Sequence, residues 1–396
     1  MKYSFPRVDR SQGYGSAKWM GMPDVPKAAG AIPLSVADME IATTPELAEA
    51  LSEAAKFGLL GYTDVDDTYK KALVGWYQRR HGYGLNPEQL CYTFGVVQAL
   101  NVAVRTYTQP GDKVIIQPPA YPPFRKATIN NGRELLENPL INEDGKYSIN
   151  FDQFEQLCKD PAAKLFILCN PHNPVGRVWT QEELLRMGRI CIDNGVLILS
   201  DEIHFDLVYA PHKHLIFPGL SEEFAQHSIT AHSLSKTFNI AGLTFSHILI
   251  PNDILRQRFL DQCAIEGFGH IPYFAYPATI AAYNKCDAWV DQLLAFFLDN
   301  YQLAKSILAE KLPQAVVSEL EGTYLMWVDL RFLGLRGDAF ADFIANNAKI
   351  WANPGIMFGE EEGDGFLRIA LPAGREDIET AVHQLCDAAN AHLAGK

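Results

Sequence analysis

The sequence has no Cys-x-x-Cys pair, and its seven cysteines are scattered and odd in number. A disulfide framework or a thiolate metal site is therefore not expected. Buried free thiols in a reducing compartment are, with Cys169 ending a strand-like run and Cys191 inside a helical pattern. No apolar stretch approaches the ~20 residues that cross a bilayer. The opening Met-Lys-Tyr-Ser-Phe-Pro-Arg-Val-Asp-Arg lacks the apolar centre of a signal peptide, so a cytoplasmic location and no membrane partner are expected. Positive charge is in short supply: 34 Lys and Arg face 47 Asp and Glu, for a net charge of −13. Without a basic stripe, a nucleic-acid partner is not expected, because that affinity rests on clustered Lys and Arg. Gly-x-Gly-x-x-Gly and Gly-Lys-Ser/Thr phosphate motifs are missing as well. His212 and His214 flank Lys213 with no further ligand pattern, so no metal site is expected there. The acidic, glycine-rich run 359–365 reads as a solvated turn.

What is present is ordinary in bulk and specific in detail. With 396 residues, 48% hydrophobic and 20% charged, the chain is large enough for two lobes. The middle third has the clearest order. An apolar run at Leu165–Cys169 leads into the turn-rich Asn-Pro-His-Asn-Pro-Val-Gly of 170–176. Thr180 and Glu183 then make a capping box, followed by apolar residues at helical spacing (184, 187, 190 and 191). Asn194-Gly195 stops that helix and Val196–Ser200 is the next strand run. Strand, helix and strand with short joints predict a parallel, right-handed crossover. Lys113–Gln117 and Ile229–His232 are further strand candidates. Beyond residue 285 the pattern predicts a long helix over Trp289–Leu312, strands at Gly322–Leu330 and Phe366–Leu371, and helices at Ala339–Ala348 and Asp377–Leu393. The expected organisation is an N-terminal arm (1–45) on a small C-terminal lobe (286–396), with a large lobe at 46–285.

Asn173, Asp201 and Lys236 each follow a short apolar run, and in open parallel sheets ligands bind beyond the carboxyl ends of strands. Lysine, carboxylate and amide in that setting are what pyridoxal 5′-phosphate needs. The lysine bonds the cofactor's aldehyde, the carboxylate pairs with the pyridine nitrogen, and the amide holds the ring hydroxyl. Ser233 and Ser235 beside the lysine offer hydroxyl donors to the phosphate. Gly95, opening a strongly apolar helix, can place the N–H groups of Val96 and Val97 on the same anion. Tyr121, in a proline-rich loop, suits stacking on a planar ring. His204, three residues past Asp201, is expected near the ring oxygen.

Longer strings carry a family resemblance. They are Leu-Ser-Val-Ala-Asp-Met-Glu (34–40), Gly-Tyr-Thr (61–63), Pro-His-Asn-Pro-Val-Gly-Arg-Val-Trp (171–179), Ser-Asp-Glu-Ile-His-Phe-Asp-Leu (200–207), Ser-Lys-Thr-Phe-Asn-Ile-Ala-Gly (235–242) and Glu-Gly-Thr-Tyr-Leu-x-Trp (321–327). Over essentially its full length the chain resembles the aminotransferase-like, fold type I pyridoxal-phosphate enzymes. Within them it is similar to the MalY, PatB and cystalysin type of carbon–sulfur β-lyase. The resemblance implies an α/β large domain with a mostly parallel, seven-stranded sheet and a smaller α+β domain. It implies Lys236, Asp201 and Tyr121 as the catalytic set. Cofactor contacts would come from Lys236, Asp201, Asn173, His204, Tyr121, Gly95, Val96, Val97, Ser233, Ser235 and Tyr62, the last reaching the phosphate of a neighbouring subunit in a homodimer with shared sites. Substrate contacts would come from Arg368, Ala37 and Asn173, with Arg368 clamping the α-carboxylate. The sequence departs from the family pattern at Ala370, Leu234 and Thr244. Thr244 stands where many transaminases carry a phosphate-binding arginine, and this favours elimination over transamination. The expected reaction is removal of the Cα proton from an S-substituted cysteine and loss of its thiol, leaving pyruvate and ammonia. The alternatives are an aminotransferase, which shares the steps up to the carbanion, and a regulatory protein that keeps the cofactor.

Overall fold

Seven short runs build one sheet: Leu90–Thr93 (β1), Lys113–Ile116 (β2), Glu134–Glu137 (β3), Ala163–Cys169 (β4), Leu197–Asp201 (β5), Ser228–His232 (β6) and Ser246–Leu249 (β7). The computed structural model describes residues 3–9, 15–24, 27 and 30–395, so the expected arm lies partly outside the described residues. The strand order is β1-β7-β6-β5-β4-β2-β3. Only β7 runs antiparallel to its neighbours β1 and β6, and the remaining pairings are parallel. This is the mostly parallel, seven-stranded sheet that the family resemblance implies.

Period-two alternation decides which face each residue serves. Leu165, Ile167 and Cys169 of β4 join Leu199, Ile229 and Ala231 under the helix Val96–Tyr107, in a cluster with Ala99, Leu100 and Ala103. Phe166, Leu168 and Ile198 point the other way, onto Leu184, Met187 and Cys191 of the helix Gln181–Asp193. Both faces are covered, which is why these strands are continuous apolar runs. Truncating Phe166, 0% exposed in this layer, would cost about 3–5 kcal/mol. The capping box forms as expected: Thr180 Oγ1 accepts from Glu183 N, and Thr180 N donates to Glu183 Oε2.

A second, antiparallel sheet has the order β8-β9-β11-β10, from Val316–Val317 (β8), Leu325–Asp329 (β9), Asn353–Pro354 (β10) and Phe366–Ala370 (β11). The long helices Asp287–Lys311 and Arg375–Ala394 pack together beside it. Ile32 and Pro33 pair in parallel with Ile350 and Trp351, which fastens the described part of the arm to this region. Two local expectations change. The helix over 339–348 is an α-helix at Gly337–Asp342 followed by a π turn at Phe343–Asn347, which buries Phe343, Ile344 and Ala345 in succession. The run 359–365 is more than a solvated turn. Glu360 and Glu361 are exposed, but Gly363 packs so tightly on Gly355 that a Cβ on Gly355 would lie 2.2 Å from the Gly363 carbonyl oxygen. All seven cysteines are free and buried. No described helix is long and apolar enough to cross a membrane.

Candidate active site

The ends of β4, β5 and β6 deliver the site. Cys169 pairs with Asp201, and Asp201 with Ala231, so the alternation that turns Leu199 toward the Val96–Tyr107 helix turns Asp201 the same way. Asn173 follows β4 in the turn that closes with Gly176 N on the His172 carbonyl. Lys236 lies in the short helix Leu234–Thr237 after β6. Together with Tyr121, His204 and Arg368 they line one cavity of about 390 Å³. Ala37, Gly95, Val96, Val97, Ser233 and Ser235 line it too. Tyr62 does not; it is 93% exposed and rests beside His270.

Burial sets the electrostatics. It lowers the Lys236 ammonium to about 8, with Asp38 opposing and Arg368 adding to the shift. Lys236 Nζ donates to the Ala37 carbonyl at 2.7 Å. Burial raises the Asp201 carboxyl to about 7; the Ile203 N–H and Lys236 oppose this and Glu202 adds to it. His204 is pushed well down by burial and by the charges of Lys236 and Arg368, so its ring is neutral. Burial brings Arg368 down to about 10, still charged at neutral pH. The Arg368 guanidinium lies over the Phe358 ring and donates to Asn173 Oδ1 (3.1 Å), Asn353 Oδ1 (2.7 Å) and the Ser35 carbonyl (2.9 Å). Its Nε has no hydrogen-bond partner. A bound carboxylate would complete it.

Three observations fit pyridoxal phosphate. The N-cap Gly95 has φ +91°, and a Cβ there would meet nothing within 4 Å, so the N-terminus of a twelve-residue helix is open to an anion. His204 Nδ1 is buried without a hydrogen-bond partner on the cavity wall. A half-buried amine of lowered pKa and a buried carboxyl of raised pKa face the same space. One expected donor is changed: Ser233 Oγ donates to the Phe245 carbonyl at 2.7 Å and caps Ser235 N, so its hydrogen is engaged in the turn that presents Lys236. Thr244 also lines the cavity, at φ +46°, a left-handed conformation rare for a β-branched residue.

The tertiary structure adds residues for which the sequence gave no role. Tyr324 Oη donates to the Ala37 carbonyl at 2.8 Å, and its string at 321–327 was the available signal. Nothing in the sequence marks Asn353. The loop 171–179 and the string at 321–327 meet: Gly322 N donates to the Gly176 carbonyl, and Arg177 pairs with Glu321 at 2.9 Å. A side chain on Gly322 would meet Val178 and Pro171 at 2.7 and 2.8 Å. His214, set aside as a metal ligand with His212, instead joins His232 on Glu202, with 2.8 and 3.0 Å bonds to one carboxylate oxygen. These three are the one group of metal-type donors among the described residues. Burial works against the charged carboxylate, yet the two histidines hold Glu202 down at about 2 through their Nε2 atoms, while Nδ1 of each is buried without a hydrogen-bond partner.

Such a sheet, with lysine, aspartate and asparagine at its strand ends opposite a helix N-terminus, defines a pyridoxal-phosphate enzyme of the aminotransferase fold. Residues 29–385 match the family aminotransferase class I and II, and the chain belongs to that family. It is 40% identical to cystathionine beta-lyase PatB of Bacillus subtilis (strain 168) over 92% of this chain and 94% of that protein. Among solved structures it is similar to cystalysin from Treponema denticola, which contains pyridoxal 5′-phosphate (TM-score 0.94, 35% identity, 99% of this chain and 100% of that one). It is also similar to the pyridoxal-phosphate-bound C-S lyase from Staphylococcus hominis (TM-score 0.91, 32% identity, 98% of each chain).

Proposed function

We propose that this protein is a pyridoxal-phosphate-dependent carbon–sulfur β-lyase acting on S-substituted cysteines, cystathionine among them. The observation that carries the reading is Lys236, a half-buried amine whose pKa is lowered to about 8 by desolvation, in one cavity with Asp201 and a charged Arg368. Lys236 would bond the cofactor, Asp201 would hold its ring nitrogen, Asn173 and His204 would lie at its ring oxygen, and Tyr121 would stack on it. The Gly95–Val97 backbone and Ser235 would take its phosphate. When bound, the cofactor supplies an aldehyde for amines and a ring that accepts the electrons of the Cα–H bond.

The remaining work belongs to the chain. Arg368 takes the substrate α-carboxylate while Asn353 and the Ser35 carbonyl keep the guanidinium in place. Ala37 lines the same cavity. Lys236 accepts the Cα proton, for which an amine of pKa about 8 is matched to near-neutral pH. Asp201 would give the ring nitrogen a negatively charged partner and so favour its protonated form. With sulfur on Cβ, the C–S bond breaks toward a thiolate, and the three-carbon remainder is hydrolysed to pyruvate and ammonia.

The assembly we propose is a cytoplasmic homodimer in which each site borrows Tyr62 from its partner. The exposure of Phe57, Leu59, Leu60 and Tyr62, between 60 and 93%, supports an apolar surface that a second copy covers. The deciding experiment feeds purified protein cystathionine, S-methylcysteine and alanine, and assays thiol, pyruvate and amino-acid products. Stoichiometric thiol and pyruvate, with alanine far slower, is the expected result. A required keto-acid acceptor and no thiol would replace the lyase reading with the aminotransferase one.

A further inference from the structure

Both cationic groups of the site rest on backbone carbonyls of one segment. Ser35 O accepts from Arg368 Nη2 at 2.9 Å, and Ala37 O accepts from Lys236 Nζ at 2.7 Å and Tyr324 Oη at 2.8 Å. A carbonyl is placed only as well as its segment is anchored. The next residue, Asp38, carries the anchor. Lys18 is 1% exposed, and its Nζ lies 2.7 Å from Asp38 Oδ1 and 3.2 Å from Glu40 Oε1, and donates to Asp38 O at 3.1 Å. On the other side Asn239, three residues past Lys236 and at φ +55°, accepts from Met39 N and donates to the carbonyls of Met39 and Ile41.

We infer that Lys18 is a positioning residue for substrate binding: by pinning Asp38 and Glu40 it sets the Ser35 and Ala37 carbonyls, and through Ser35 the aim of Arg368 at the substrate's α-carboxylate. When Lys236 leaves Ala37 O to bond the cofactor, Tyr324 and the Lys18 anchor hold the segment in place. A buried lysine is stable only while its carboxylate partners remain, so losing either side frees the segment. The expected consequence falls on the step that Arg368 serves, which is capture of the amino acid.

The test uses the cofactor-saturated protein and two variants, Lys18→Met and Asp38→Asn, with Lys18→Arg as the conservative rescue. L-norleucine, which has no leaving group on Cβ, serves as a binding probe followed by the absorbance of the bound cofactor. Its dissociation constant and the KM for S-methylcysteine should rise about tenfold in both charge-removing variants. The kcat should change less than about threefold, and Lys18→Arg should recover most of the loss. If Lys18→Met does not fold, Asp38→Asn decides. Norleucine affinity and KM within about twofold of the parent, whatever happens to the melting temperature, would overturn the inference, as would a loss confined to kcat. A protein that binds norleucine normally but releases no thiol would remove the lyase reading and leave this test intact.

Discussion

The two sides of the cavity are built differently. On the sheet side, Asn173, Asp201 and Lys236 are carried by consecutive strand-to-turn units: Asp201 ends β5 and is aimed by its pleat, Asn173 sits in the turn after β4, and Lys236 in the short helix after β6. On the opposite side, Arg368 comes from β11 of the small sheet, and its bond to Ser35 spans 333 positions of sequence. The Lys236 bond to Ala37 spans 199. Sheet-side groups are positioned by regular local structure. Arg368 is positioned by the Ser35 carbonyl and the Asn173 and Asn353 amides, which tertiary packing brings together. The first arrangement should tolerate distant change, whereas the second should respond to it.

The largest expected effect tests the sheet side. Lys236→Ala removes both the cofactor bond and the proton acceptor, and thiol release from S-methylcysteine should fall on the order of 10³-fold or more. Turnover within tenfold of the parent would break the assignment of that side.

Asp201→Asn should cost on the order of 10²-fold in kcat, since it removes the charge that faces the electron-accepting ring. It should also stabilise the cofactor-free protein. Asp201 has a folded-state pKa of about 7, above its ordinary value near 3.8, so the folded state binds the extra proton between those limits. Its contribution to stability is therefore present at low pH and is lost as pH rises through 7. The neutral amide should raise stability above pH 7 by on the order of 1–4 kcal/mol, read by urea unfolding at pH 5 and pH 8. Equal stability of parent and variant at both pH values would show that the carboxyl is not strained by burial.

The opposite side should give a smaller, graded response. Arg368→Lys keeps the charge but loses the planar fork, and kcat/KM should drop about 10- to 100-fold for every amino-acid substrate, mostly through KM. An unchanged KM would put the α-carboxylate elsewhere.

The mildest effect is one of pH. Lys236 bonds an aldehyde only as the neutral amine, and burial lowers it to about 8. Capture of added pyridoxal phosphate by the cofactor-free protein should speed up as pH rises toward 8 and level off above it, followed by stopped-flow absorbance. In the same protein the folded state binds fewer protons than the unfolded chain between about 8 and the ordinary 10.5, so this group adds stability as pH rises through that window. A capture rate still climbing steeply at pH 10 would mean that the amine is not desolvated.

How much could be read beforehand follows the same division. The strand runs, the capping box at Thr180 and the lysine, aspartate and asparagine at strand ends are local patterns, and short apolar runs bounded by turn and cap residues make them legible without coordinates. The long helices after residue 285 were legible from apolar residues recurring at helical spacing. Ser233 was expected to donate to phosphate, but the residue type alone could not show that the Phe245 carbonyl lies 2.7 Å from its hydroxyl. His214 looked like one of an idle pair with His212 until the fold brought Glu202 and His232 to it.

The amino-acid order by itself determined the chemistry available: which side chains end the parallel strands, which glycine opens the helix that faces them, and which arginine sits in a late strand. Only the tertiary structure decided what Lys18, Asn239, Asn353 and Tyr324 do. Their partners are carbonyls and side chains far away in sequence, and a backbone carbonyl looks the same at every position until packing selects the few that face a buried cation.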